Sequence, residues 1–99
     1  MSAPGATAVA SAQFDPGARW RLHPQVALRP EPFGALLYHF GTRKLSFLKN
    51  TVVVDVVRSL GDHASVREAL RAHGIDESTE RPYLRALGTL ADSHMIVPA

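Results

Sequence analysis

Residues 33–48 read FGALLYHFGTRKLSFL, and their alternation decides the fold of the whole chain. Leu36, Tyr38 and Phe40 fall on one side of an extended segment, Leu37 and His39 on the other. Phe40-Gly41-Thr42-Arg43 supplies a reversal, after which Leu45 and Phe47 alternate with Lys44 and Ser46. The stretch therefore predicts a β-hairpin. Its returning strand, Lys44 to Leu48, is short, contains no proline and runs at once into Asn50, a helix-starting residue. Unless a later segment pairs with it, its outer row of N–H and C=O groups stays open and can accept another strand, including one from a second copy of the chain.

Upstream of the hairpin, Trp20-Arg21-Leu22-His23-Pro24 leads into Gln25–Arg29, where Val26 and Leu28 alternate with polar or small neighbours. Pro30 and Pro32 predict that this first strand ends there, because proline removes a ladder donor. Downstream, Thr51–Leu60 (TVVVDVVRSL) holds five valines, which favour a strand by propensity. Yet Val53, Val56, Val57 and Leu60 share one helical face between Asn50 as N-cap and Gly61 as C′ residue, so a helix is expected. Ser65-Val66-Arg67-Glu68 matches a capping box and opens a second helix that ends at His73-Gly74. A third is expected from about Glu80 to Ser93, with Pro82 in its first turn and Tyr83, Leu87 and Leu90 facing inward beside Leu84 and Ala91. Met95-Ile96-Val97 closes the chain as a short extended segment. The fold class is α+β: a three-stranded antiparallel sheet followed by three helices, winged-helix-like in outline.

The chain has 99 residues, no cysteine and a formal net charge of +2, which bounds it to one domain without disulfide or thiolate chemistry. A reducing, cytoplasmic setting fits that composition. No apolar run approaches the roughly 20 residues of a membrane span. Residues 1–18 are rich in small side chains and lack the basic start of a signal peptide, so they read as a flexible tail before a domain at 19–99. Charge is uneven: Arg19, Arg21, Arg29, Arg43, Lys44 and Lys49 face the single acid Glu31, whereas beyond Asn50 acids outnumber bases. An acidic partner should therefore be drawn to the strand half.

Catalysis finds little support. The histidines at 23, 39, 63, 73 and 94 have no partner at helical spacing, so each is expected at the surface or a helix end, and no metal or cofactor is called for. Asp76, Glu77 and Glu80 read as partners of a helix dipole. No glycine-rich phosphate loop is present. Two binding classes remain. A winged helix that binds DNA is disfavoured, because Arg81 and Arg85 are offset by Glu80 and Asp92 and no cluster of Lys, Arg, Asn or Gln marks a recognition helix. The other class is a peptide that adds a strand to the hairpin edge, with Leu45, Phe47 and Tyr83 shaping a pocket between the last strand and the third helix.

The order Leu22-His23-Pro24, Leu36-Leu37-Tyr38, Leu45 to Asn50, Leu60-Gly61-Asp62, Ser65 to Leu70, and Leu87, Leu90, Met95-Ile96 resembles the PqqD-like peptide chaperones, the RiPP recognition elements. The likeness covers about Arg21 to Val97 and is strongest to the mycofactocin-system branch through HPQVALRPEPFGALLYHFGTRKLSFLKN. It implies a non-catalytic adaptor that binds the leader of a ribosomally made precursor as an added strand and presents it to a radical SAM maturase. That enzyme would carry the iron–sulfur clusters, which a chain without cysteine cannot hold. Carried onto this sequence, the peptide-binding residues are Arg43, Lys44, Leu45, Ser46, Phe47 and Leu48 of the strand, with Tyr83, Leu84 and Leu87 of the facing helix. One departure is His94, where relatives often place glycine before the final apolar pair.

Overall fold

The computed structural model describes residues 14–99. In chain order it contains β1 (Trp20–Leu22), β2 (Val26–Glu31), β3 (Gly34–His39), β4 (Leu45–Leu48), α1 (Thr51–Ser59), a 3₁₀ turn (Leu60–Asp62), α2 (Val66–Ala72), α3 (Arg81–Asp92) and β5 (Ile96–Pro98). The expected meander is present as an antiparallel sheet of order β2-β3-β4. The closing extended segment is a strand as well: β5 pairs with β1 in a separate two-stranded ribbon, with Leu22 opposite Ile96.

Pro30 does not end the first strand. β2 continues to Glu31, with Pro30 opposite Ala35 and Glu31 opposite Gly34. The reason lies in the ladder. Phe40 N donates to Gln25 O at 2.8 Å, and bonded pairs alternate along an antiparallel ladder, so Arg29–Leu36 is a bonded pair and Pro30–Ala35 is not. The missing donor of Pro30 thus falls on the outer side of an edge strand. Gly34 adopts φ +151, and a Cβ there would collide with the Leu48 carbonyl, so glycine lets β4 close against the start of β3.

Asn50 caps α1 through Oδ1, accepting from the amides of Val52 (2.7 Å) and Val53 (3.2 Å), so capping and packing override the β preference of the valines. Gly61 is not a left-handed C′ cap. The chain instead tightens through the 3₁₀ turn, and among the described residues the positive-φ glycines are Gly34 and Gly74. Ser65 Oγ accepts from Glu68 N at 3.0 Å while Glu68 Oε1 accepts from Ala64 N at 2.9 Å, a capping box whose return arm lands one residue early.

Of the expected tail, residues 1–13 lie outside the described part. Residues 14–18 pack on the domain: Phe14 meets Trp20 edge-on at 5.0 Å, and Pro16 O and Ala18 O accept from the first amides of α2, Arg67 N and Val66 N, both at 3.1 Å. A single core joins Ala35, Leu37 and Leu48 of the sheet with Val56, Leu60, Leu70, Leu87 and Ile96. Burying these side chains is the main stabilising term.

At the end of α3, Met95 N donates to Leu90 O (2.8 Å) and His94 N to Ala91 O (3.0 Å), with His94 at φ 61. This is a Schellman ending in which histidine takes the left-handed position usually given to glycine. Glu80 is also placed differently from the helix-dipole reading. It is buried, makes no cap hydrogen bond, and its carboxylate reaches Arg71 Nη1 at 3.0 Å and Arg67 Nε at 3.5 Å, tying α3 back to α2.

Candidate functional site

The free edge forms because β4 lies at one end of the sheet. On its inner side it pairs with β3, placing Ser46 opposite Leu37 and Leu48 opposite Ala35. His39 N donates to Lys44 O at 3.0 Å, and from that bonded pair the alternation makes Leu37–Ser46 and Ala35–Leu48 bonded too. The N–H and C=O groups of Leu45 and Phe47 therefore point away from β3. Among the described residues no strand covers them, since β5, the one late strand, pairs with β1.

The side chains of β4 divide by face. Leu48 is buried in the core and Ser46 is half-buried beneath Leu37, whereas Leu45 and Phe47 are 54% and 59% exposed on the opposite face. Tyr83 and Leu84 pack at the margin of the core and Leu87 is fully enclosed in it. The structure thus gathers Arg43 to Leu48 into one strand and its turn. It does not bring Leu45 and Phe47 to Tyr83, because they lie on opposite faces of the sheet.

The turn before β4 is built on His39. This residue is buried, and its Nδ1 accepts from Gly41 N (3.0 Å) and Thr42 N (3.2 Å) while its carbonyl accepts from Arg43 N (2.7 Å). A ring that accepts at Nδ1 carries its proton on Nε2, and that buried atom has no hydrogen-bond partner. Arg43 sits at φ 64, so a non-glycine residue holds the left-handed position that aims β4 back along β3. Arg43 and Lys44 are exposed and form no ion pair among the described residues. Two cations thus stand at the open end of the strand.

Two features escaped the sequence reading. The first is a histidine contact: His23 and His39 lie with ring centroids 4.4 Å apart, brought together by the β2–β3 register across 16 positions of chain, and His39 is a core residue, not a surface one. Partial burial, then the neighbouring His39, Arg21 and His94, hold the His23 pKa below its ordinary 6.5. The second is an apolar group on the outer face, where Phe33 approaches Phe47 at 6.3 Å and Tyr38 meets Phe40 edge-on at 4.9 Å. Its signal was available, because apolar residues at consecutive positions 35–38 must supply both faces of a strand. Among the described residues no group of three or more His, Cys, Asp or Glu is placed to hold a metal ion, and no helix is long and apolar enough to cross a membrane.

Comparison with known proteins agrees with this architecture. The chain is 65% identical over 98 residues to peptide chaperone MftB of Mycobacterium ulcerans, spanning 99% of this chain and 90% of the relative. It is 61% identical over 88 residues to peptide chaperone MftB of Mycobacterium tuberculosis, covering 89% and 81% of the two chains. The protein of the same name from Mycolicibacterium smegmatis is 66% identical over 85 residues, covering 86% and 83%. No solved structure matches the chain. Residues 19–97 match the model of the peptide chaperone MftB family, and with these relatives that shows the chain to be a member of this family.

Proposed function

We propose that this protein is a non-catalytic, cytoplasmic adaptor of mycofactocin biosynthesis. It binds the acidic leader of a ribosomally made precursor as a strand added to β4, and hands the peptide to a radical SAM maturase. The observation that carries the reading is the unpaired edge of Leu45 and Phe47, which offers two amide donors and two carbonyl acceptors in a row beside Arg43 and Lys44. Backbone pairing of this kind supplies affinity with little dependence on sequence, and the flanking cations select an acidic strand. On this reading Tyr83, Leu84 and Leu87 of α3, which lie at or in the core on the helix side, contribute the second wall of the peptide site.

Calorimetric titration with the co-encoded precursor peptide tests this. Phe47→Pro removes an amide that points outward, so the β3–β4 ladder keeps its bonds while the added strand loses one. Binding at micromolar affinity or tighter, lost in a folded Phe47→Pro variant and retained in Phe47→Ala, is the expected result. Equal binding by wild type and Phe47→Pro, or no binding of any leader, defeats strand addition. Retardation of duplex DNA with a steep salt dependence would point instead to nucleic acid.

A further inference from the structure

The outer face of the β2-β3-β4 sheet holds apolar surface that the fold does not use. Phe33, Phe40, Leu45 and Phe47 are 46%, 61%, 54% and 59% exposed. The register makes them continuous: Leu36 lies opposite Phe47 and Tyr38 opposite Leu45, with Phe33 against Phe47 at one end and Phe40 against Tyr38 at the other. The core closes without this face, through Ala35, Leu37 and Leu48 on the other side. A contiguous aromatic strip left in water is the composition of an interface centre.

The rim says what covers it. Glu31, an acid on this face, is already engaged by Arg29 at 2.9 Å. Lys49 at one end and Arg43 at the other are exposed cations with no ion-pair partner among the described residues. Two copies face to face would set these cations against one another, so self-pairing through this face is opposed by like charge. A different protein with carboxylates around an apolar ridge is matched to it.

We infer that this outer sheet face is the docking surface for such a second protein, and, on the reading proposed above, that protein is the enzyme that receives the peptide. The geometry couples the two events. A strand added to β4 extends the same sheet and turns every second side chain onto the outer face beside Leu45 and Phe47. A protein resting there touches the adaptor and its peptide together.

The test uses Phe33→Ser/Phe40→Ser, which alters the strip at both ends and leaves β4 untouched. Binding of the full-length variant to the radical SAM maturase and to the leader peptide is measured separately, with circular dichroism to confirm folding. The expected result is maturase affinity reduced at least tenfold with leader affinity within twofold of wild type. Lys49→Glu, a change at an exposed residue outside the packed core, gives a second measure: maturase affinity should fall several-fold, with a shallower salt dependence. Unchanged maturase affinity in both variants overturns the inference, as does a wild-type dimer that the double variant converts to monomer, since a second copy would then be the occupant. Failure of the leader itself to bind wild type is the distinct failure of the strand-addition reading.

Discussion

Leu36 and Leu37 are neighbours in β3 and chemically the same residue, yet they meet different surroundings. Leu37 lies on the face packed against the helices and is fully sealed in the core, whereas Leu36 is half-buried on the outer face, opposite Phe47. The contrast extends across the sheet: the inner face carries Ala35, Leu37 and Leu48, and the outer carries Leu36, Tyr38, Leu45 and Phe47. Both faces are apolar, so hydrophobicity alone does not say which one folds the protein. What differs is that α1, α2 and α3 supply partners for one face, and nothing among the described residues supplies them for the other. The inner face gives stability; the outer face stays open to solvent.

The strongest way to break this comparison is to truncate the sealed residue. Leu37→Ala should cost about 3 kcal/mol of unfolding free energy, because it removes buried methyl groups and leaves a cavity that the packed helices cannot fill. Urea denaturation measures it, and a loss below about 1 kcal/mol would show that the inner face is not the core it resembles. A smaller effect tests the histidine corner where the inner face meets the β1–β2 connection. The His23 pKa is lowered in the fold, so the unfolded chain takes up a proton first. Stability is then full above about pH 6.5 and declines as the pH drops below it. Melting temperature should fall between pH 7 and pH 5, and His23→Asn, which keeps an acceptor near the Gln25 amide, should flatten that slope; an identical slope rejects this role for His23. The smallest effect belongs to the outer face. Leu45→Ser should change unfolding free energy by no more than about 0.5 kcal/mol, the usual range at exposed positions, and a cost near that of Leu37→Ala would erase the distinction between the faces.

Much of this was legible because it is local. The Asn50 and Ser65 caps, the hairpin turn and the inward stripe of α3 depend on residues within one or two turns of chain, and their spacing encodes them directly. The open edge of β4 was legible too, since Asn50 follows the strand too closely for another to form at once. The pairing of β5 with β1 was not, as it joins positions some 75 residues apart through a register that neither short strand announces. Pro30 misled because its consequence depends on whether its nitrogen faces the partner or the outside, which only the ladder phase decides. Arg43 in a left-handed conformation was equally unreadable, because local propensity assigns that position to glycine and the surrounding packing overrides it, whereas His94, at φ 61, was flagged by the glycine that relatives often carry there.

The sequence by itself determined the element types, the α+β class, the basic character of the strand half and the position of an edge strand with alternating Leu45 and Phe47. Periodicity, capping and charge are properties of short segments, and they survive without knowledge of the fold. Tertiary structure alone decided which side of that strand is covered, that Glu80 anchors α3 to α2, and that His23 meets His39. These outcomes rest on which distant segments the helices and register bring into contact, and close packing of one face is what leaves the other apolar and open.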